Sequence, residues 1–237
     1  MSDLEALEGT LNTRDVGGLV GAGGGAVPPG RLARSDSLSE LSADDAQRML
    51  GWGVRSVLDL RGGAEAVEFG RGPLAAHPVA YVNIPMLELA PTGRPGRLLL
   101  DAYLDLIERD PMVPLALETA GILLARGPLV VHCTAGKDRT GLVVALLLAC
   151  AEVRADDIVA DYLRSGSAMP LVKARLAAFP RYRTVMEQYP ELYEARATTI
   201  TGLLEHLDGR YGGVRRWAAS RNVPDVVLDM IRNALRG

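Results

Sequence analysis

Residues 128–150 constrain the fold of this chain more than any other stretch. An apolar strand, Pro128 to Val131, runs into a turn containing Gly136, and the turn opens an apolar helix, Thr140 to Cys150. A strand without polar alternation followed at once by an apolar helix is a building unit of a buried parallel sheet. Cys133 stands at the end of the strand, and Arg139 stands six positions later, where the helix begins.

Five residues between Cys133 and Arg139 are enough to curl the backbone around one tetrahedral anion. In such a ring the amide N–H groups point inward, and the helix that follows adds its free N-terminal donors and its positive dipole end. A free thiol titrates near about 8.5, whereas a helix N-terminus and a nearby cation bring thiols to roughly 3.5–7.5. The expected chemistry is therefore a thiolate, Cys133, attacking phosphorus at the floor of a phosphate-binding loop that comprises Thr134, Ala135, Gly136, Lys137, Asp138, Arg139 and Thr140. Arg139 supplies a planar two-pronged clamp for two phosphate oxygens, a geometry lysine does not match. Thr140 is expected to donate its hydroxyl to the thiolate, and His132 to brace the loop without acting as a base. A lone cysteine is usually a small hydrophobe, but the five-residue gap, the arginine and the strand–helix setting together point to catalysis.

Two further residues distinguish the loop. Lys137 places a second cation beside the phosphate, which suits substrates carrying more than one phosphate. Asp138 places a carboxyl group inside an anion site, which is unfavourable unless the group is protonated or salt-bridged. A carboxylic acid there can protonate the leaving oxygen; alternatively, Asp138 is a helix-start residue paired with Lys137 or Arg139.

With these residues in view, the chain resembles the bacterial atypical tyrosine and phosphoinositide phosphatases. Their loop reads His-Cys-x-Ala-Gly-Lys-Asp-Arg-Thr-Gly, and residues 132–141 match it at every specified position. Asn12 to Gly18 resembles the family's Asn-x-Arg-Asp-x-Gly-Gly signature, and Arg34 to Leu38 its Arg-Ser-x-x-Leu element. Val57 to Arg61 with Glu65 resembles a strand-ending Asp-Leu-Arg segment, and Asp161-Tyr162-Leu163 the Tyr-Leu after the catalytic helix. The resemblance implies a cysteine-phosphatase-like α/β fold, a central mostly parallel sheet flanked by helices with a helical C-terminal third. It also implies a cysteinyl-phosphate intermediate, no metal or other cofactor, and phosphorylated proteins or phosphoinositides as partners. The Trp-Pro-Asp tripeptide that carries the acid in eukaryotic-type tyrosine phosphatases does not occur in the sequence. Candidate acids are therefore ranked Asp138, then Asp59 at a strand's C-terminal end, where α/β sites gather, then Asp101.

At 237 residues and 48% apolar content the chain suits one α/β domain, 1–237, with a core filled by Leu, Val and Ala, since aromatics are only 5%. A net charge of −3 argues against general nucleic-acid binding. Two cysteines make no disulfide framework; Cys133 must stay reduced, and Cys150 reads as inert core or a redox partner. The acidic Met1 to Glu5 lacks the basic and apolar regions of a signal peptide, and the longest apolar run falls short of the ~20 residues of a membrane span. A cytoplasmic protein without membrane insertion is expected, with export lacking a cleaved leader left open by the resemblance.

Elsewhere, Gly21 to Gly25 reads as a hairpin tip or a loop, Ser42 caps a helix that Gly51 ends, and Val54 to Leu60 is a buried strand. Val79 to Ile84 is a strand near an edge, Pro91 to Gly96 a loop, and Leu98 to Arg109, Pro114 to Ala125 and Ala155 to Arg164 are helices. No Asp or Glu occurs from Ser165 to Met186, while Lys173, Arg175, Arg181 and Arg183 are basic. That interval reads either as a solvated face or as a basic helical lid over about 165–195. Residues 199–209, 213–221 and 224–236 read as three closing helices.

Overall fold

Short apolar segments line up so that the loop after Val131 falls at the middle of a sheet. The computed structural model describes Leu4 and residues 7–87 and 97–236; the loop expected over Pro91 to Gly96 lies outside them. The strands are β1 (Arg14–Asp15), β2 (Leu32–Ser35), β3 (Ser56–Asp59), β4 (Ala80–Asn83) and β5 (Leu129–His132). They form one sheet in the order β1-β2-β5-β3-β4, parallel except for β1. Central β5 is buried along its whole length, and β4 occupies an edge, as its weaker apolar character predicts. Ser35 and Asp59 are both in register with His132. The C-terminal ends of three parallel strands therefore meet beside Cys133, the place where open α/β sheets build their sites.

Helices cover the sheet: α1 (Ala43–Trp52), α2 (Gly63–Phe69), α3 (Leu98–Arg109), α4 (Met112–Arg126) and α5 (Asp138–Cys150). They are followed by α6 (Ala155–Leu176), α7 (Pro180–Gln188), α8 (Ala197–Tyr211), α9 (Val214–Ser220) and α10 (Asp225–Leu235). The helical C-terminal third is thus present. Most expected boundaries shift by a few residues: α1 runs past Gly51 and stops at Gly53, which adopts φ 101°, and β3 is shorter than the expected strand. Gly21 does form a hairpin tip, its N–H donating to Gly25 O at 2.7 Å.

Buried on nearly every side, α5 is the central helix of the main core. Each of its leucines contributes about 1.5–3 kcal/mol by burial. Its first turn packs closely against α6 because Gly141 has no side chain: a Cβ there would lie 3.0 Å from the Tyr162 ring. The largest departure from expectation is α6, which continues past Arg164 to Leu176 with Pro170 inside it. Proline removes one intrahelical hydrogen bond, but Pro170 lies on the exposed side while Met169 and Val172 bury into a small separate core with Tyr182.

Candidate active site

Cys133, Thr134, Ala135, Asp138 and Arg139 form the floor of a pocket of ≈ 110 Å³ whose other walls are Leu176, Tyr182, Val185, Leu192 and Tyr193. Five of the residues expected in the loop are thus gathered at one cavity, while Gly136, Lys137 and Thr140 do not line it. The loop is braced from outside. Asn12 Nδ2 donates to Ala135 O at 3.1 Å, Arg34 donates to Gly136 O at 2.9 Å, and Ser37 N–H donates to Thr134 O at 3.2 Å. With its carbonyls engaged outward, the loop keeps its amide donors for an anion inside.

Those braces rest on a second tier. Asp161 pairs with Arg14 at 2.8 Å and with Arg34 at 2.5 Å, all three side chains being buried. Arg14 also donates to Asn12 Oδ1 at 2.7 Å. The Asn12–Gly18, Arg34–Leu38 and Asp161–Leu163 segments therefore share one task, fixing the outer edge of the loop. Gly136 makes the tight fit attainable: its φ is 67°, and a Cβ there would lie 2.5 Å from Asp36 N. Gly136→Ala is expected to displace the loop at a strain of about 1–3 kcal/mol, visible as a lowered melting temperature together with lost phosphatase turnover.

Arg139 is held by Glu65 of α2. Its two terminal nitrogens donate to the carboxylate at 2.6 and 3.1 Å, and Thr134 and Tyr182 donate to the same group at 2.5 and 2.8 Å. Burial opposes the charge on Glu65, but Arg139, Thr134 and Tyr182 outweigh it and hold its pKa at about 2. Because the folded pKa lies below the usual value, this stabilisation is present above the normal carboxylate range and is lost as pH falls toward 2. Glu65 enters the sequence reading only as part of a resemblance. Its one local signal is its helix-start position, where Oε2 accepts from Gly62 N–H at 2.9 Å. Tyr182, which ties α7 to this cluster, has no such signal.

Several expected roles are corrected. Asp59 is not placed as an acid: it is fully buried and bonded to Arg61 through Nε and Nη2, with Tyr81 donating at 2.6 Å. Burial raises its pKa, but His132, Arg61 and Tyr81 more than offset that and keep it lowered. Asp101 pairs with Arg97 along α3 at 3.8 Å and lines no part of the pocket. Lys137, expected beside the phosphate, does not line the pocket; its ammonium is buried against Leu192 O at 2.6 Å and Glu194 O at 2.9 Å. Thr140 Oγ1 is buried without a hydrogen-bond partner, so the expected bond to Cys133 is not made. His132 does act as a brace: Nδ1 lies 3.2 Å from Cys133 O and Nε2 3.7 Å from Asp59, and burial lowers its pKa.

Asp138 remains at the pocket, its Oδ1 3.1 Å from Lys137 Nζ and accepting from Tyr103 OH at 3.2 Å. Among the described residues it is the one carboxyl group lining the cavity. Two of the basic residues after Arg164 are paired with the body of the protein. Arg175 pairs with Asp36 at 3.1 Å, and Arg181 pairs with Glu68 at 2.6 Å, so both bind this segment to the body. Cys150 is buried in the core as a free thiol, and burial pushes its pKa up to about 12. Among the described residues no group of His, Cys, Asp and Glu could hold a metal ion, and no helix is long and apolar enough to cross a membrane.

A cysteine after the central parallel strand, a carbonyl-braced loop and a carboxylate-locked arginine opening the next helix define the cysteine-dependent phosphatases. The chain belongs to the tyrosine phosphatase family, whose model matches residues 5–237. It is 36% identical over 222 residues to a protein of Cupriavidus necator whose name assigns it as a tyrosine-protein phosphatase, covering 88% of this chain and 80% of that one. It is 29% identical over 279 residues to the triple specificity protein phosphatase PtpB of Mycobacterium tuberculosis, covering 98% of each. Among solved structures, TpbA of P. aeruginosa matches with 17% identity and a TM-score of 0.39, over 61% of this chain and 80% of that one.

Proposed function

We propose that this phosphatase acts on aryl phosphate monoesters, phosphotyrosine in proteins foremost, through a cysteinyl-phosphate intermediate. The observation that carries the reading is the pocket: a phosphate-sized loop at the floor and Leu176, Val185, Leu192 and Tyr193 as walls. Apolar and aromatic walls favour a ring over a polyol. Cys133 Sγ attacks phosphorus, forming the S–P bond as the ester P–O bond breaks. Arg139 and the loop amides hold the non-bridging oxygens, and Asp138 delivers a proton to the departing oxygen. Water then attacks phosphorus, Asp138 takes its proton, and the thiolate leaves. Residues 165–195 serve as a lid within a single domain, latched to the body by the Tyr182–Glu65 bond and the Arg175 and Arg181 ion pairs. A reactive thiol at Cys133 fits a reducing cytoplasm.

The M. tuberculosis relative is named a triple specificity phosphatase, which supports testing a wide substrate range. A panel of phosphotyrosine, phosphoserine and phosphothreonine peptides with mono- and bis-phosphorylated inositides tests the preference. The kcat/KM for phosphotyrosine is expected to exceed that for every alkyl phosphate by at least about 10-fold. An inositide as the best substrate would overturn the aryl reading while leaving the cysteine mechanism intact.

A further inference from the structure

Lys137 is the most unusual charged group in the site. Its side chain is fully buried, yet it neighbours an anion-binding loop without lining the pocket. An ammonium has three N–H donors. Leu192 O at 2.6 Å and Glu194 O at 2.9 Å accept two of them, and Asp138 Oδ1 lies 3.1 Å from the ammonium as its ion-pair partner. The ammonium is thus directed to the 190–194 turn, with Asp138 as its counter-ion.

The two carbonyls belong to the short 3₁₀ turn Pro190–Tyr193 and the residue just after it. Such a turn leaves its last carbonyls without backbone partners. The same turn carries Leu192 and Tyr193, which wall the pocket above Cys133. The choice of side chain is informative as well. The chain has 26 basic residues, of which only Lys137 and Lys173 are lysines. A compact ammonium suits two carbonyls and a carboxylate gathered around one point, whereas the planar fork of arginine does not.

We propose that Lys137 is a positioning residue that fastens the 190–194 turn over the pocket and orients the Asp138 carboxylate, rather than a ligand of the substrate's phosphate. Leu192 and Tyr193 are thereby held as walls for the ring of the substrate. The aryl substrate rests on the reading given above; the tether itself does not.

Having only two lysines makes a direct test available. In reductive methylation of the native protein, read by mass spectrometry, Lys173 is expected to react at least about 10-fold faster than Lys137 with no anion present. Lys137 reacting as fast as Lys173 until inorganic phosphate is added is the behaviour of a phosphate ligand and would overturn the proposal. In Lys137→Met, amide exchange at 190–195 is expected to accelerate by about 10-fold or more. The KM for para-nitrophenyl phosphate should rise by about 10-fold, with the inhibition constant of inorganic phosphate changed by less than about 3-fold. Unchanged exchange with an equal loss of phosphate inhibition would contradict it. If Lys137→Met does not fold, the labelling of the wild-type protein decides alone. Neither labelling nor exchange depends on turnover, so failure of the substrate panel is separable from failure of the tether.

Discussion

Cys133→Ser is expected to reduce hydrolysis of para-nitrophenyl phosphate by on the order of 10⁴-fold or more, with inorganic phosphate still bound. A serine hydroxyl is weakly nucleophilic unless a base takes its proton, and Asp138, the one carboxyl group lining the cavity among the described residues, is engaged in this step as the acid for the leaving oxygen. His132 turns Nδ1 toward the Cys133 carbonyl and Nε2 toward Asp59, and burial keeps its pKa low. Glu65 is committed to Arg139 and has a pKa of about 2. The phosphate clamp survives the substitution because Arg139 is positioned by Glu65, not by the thiol. Steady-state rates and phosphate inhibition measured on one preparation check both halves of the expectation. Turnover within about 10-fold of wild type would mean that Cys133 is not the nucleophile.

The second large effect belongs to Asp138. In Asp138→Asn, hydrolysis of phenyl phosphate and phosphotyrosine should fall by about 10²–10³-fold, because their leaving oxygens need a proton. Para-nitrophenyl phosphate, whose leaving group departs as a stable anion, should lose less than about 10-fold. The dependence on leaving group separates acid catalysis from the helix-start role, since a purely structural aspartate would lower all substrates together. Asp59→Asn provides the contrast. With Arg61 left without its buried partner, it should lower the melting temperature and show no leaving-group dependence.

The chemistry of this site is readable in the sequence because its parts are contiguous. Cys133, Arg139 and the strand and helix around them lie within one segment, and local geometry brings them together. The supports are not contiguous. Glu65 reaches Arg139 across 74 positions, Asn12 reaches Ala135 across 123, and Lys137 reaches the carbonyls of Leu192 and Glu194 across 55 and 57. The same cause hides from the sequence the partners of Lys137, which is expected there as a second cation beside the phosphate. A cation beside a phosphate loop points to the anion unless backbone carbonyls from elsewhere claim it, and nothing local reveals those carbonyls. Asp59 has the right address, a strand end at the site, and the wrong partner, because Arg61 two positions on folds back upon it. Sheet and helices are legible through apolar runs and caps, whereas the extension of α6 through Pro170 contradicts a local breaker and is set by burial of Met169 and Val172.

Rapid acid quenching during turnover of a radiolabelled aryl phosphate, followed by peptide mapping, tests the central claim most directly. Phosphate bound covalently to the Cys133 peptide, chasing into free phosphate at the rate of turnover, is the predicted result. Turnover with no label on Cys133, or label on another residue, would contradict the account.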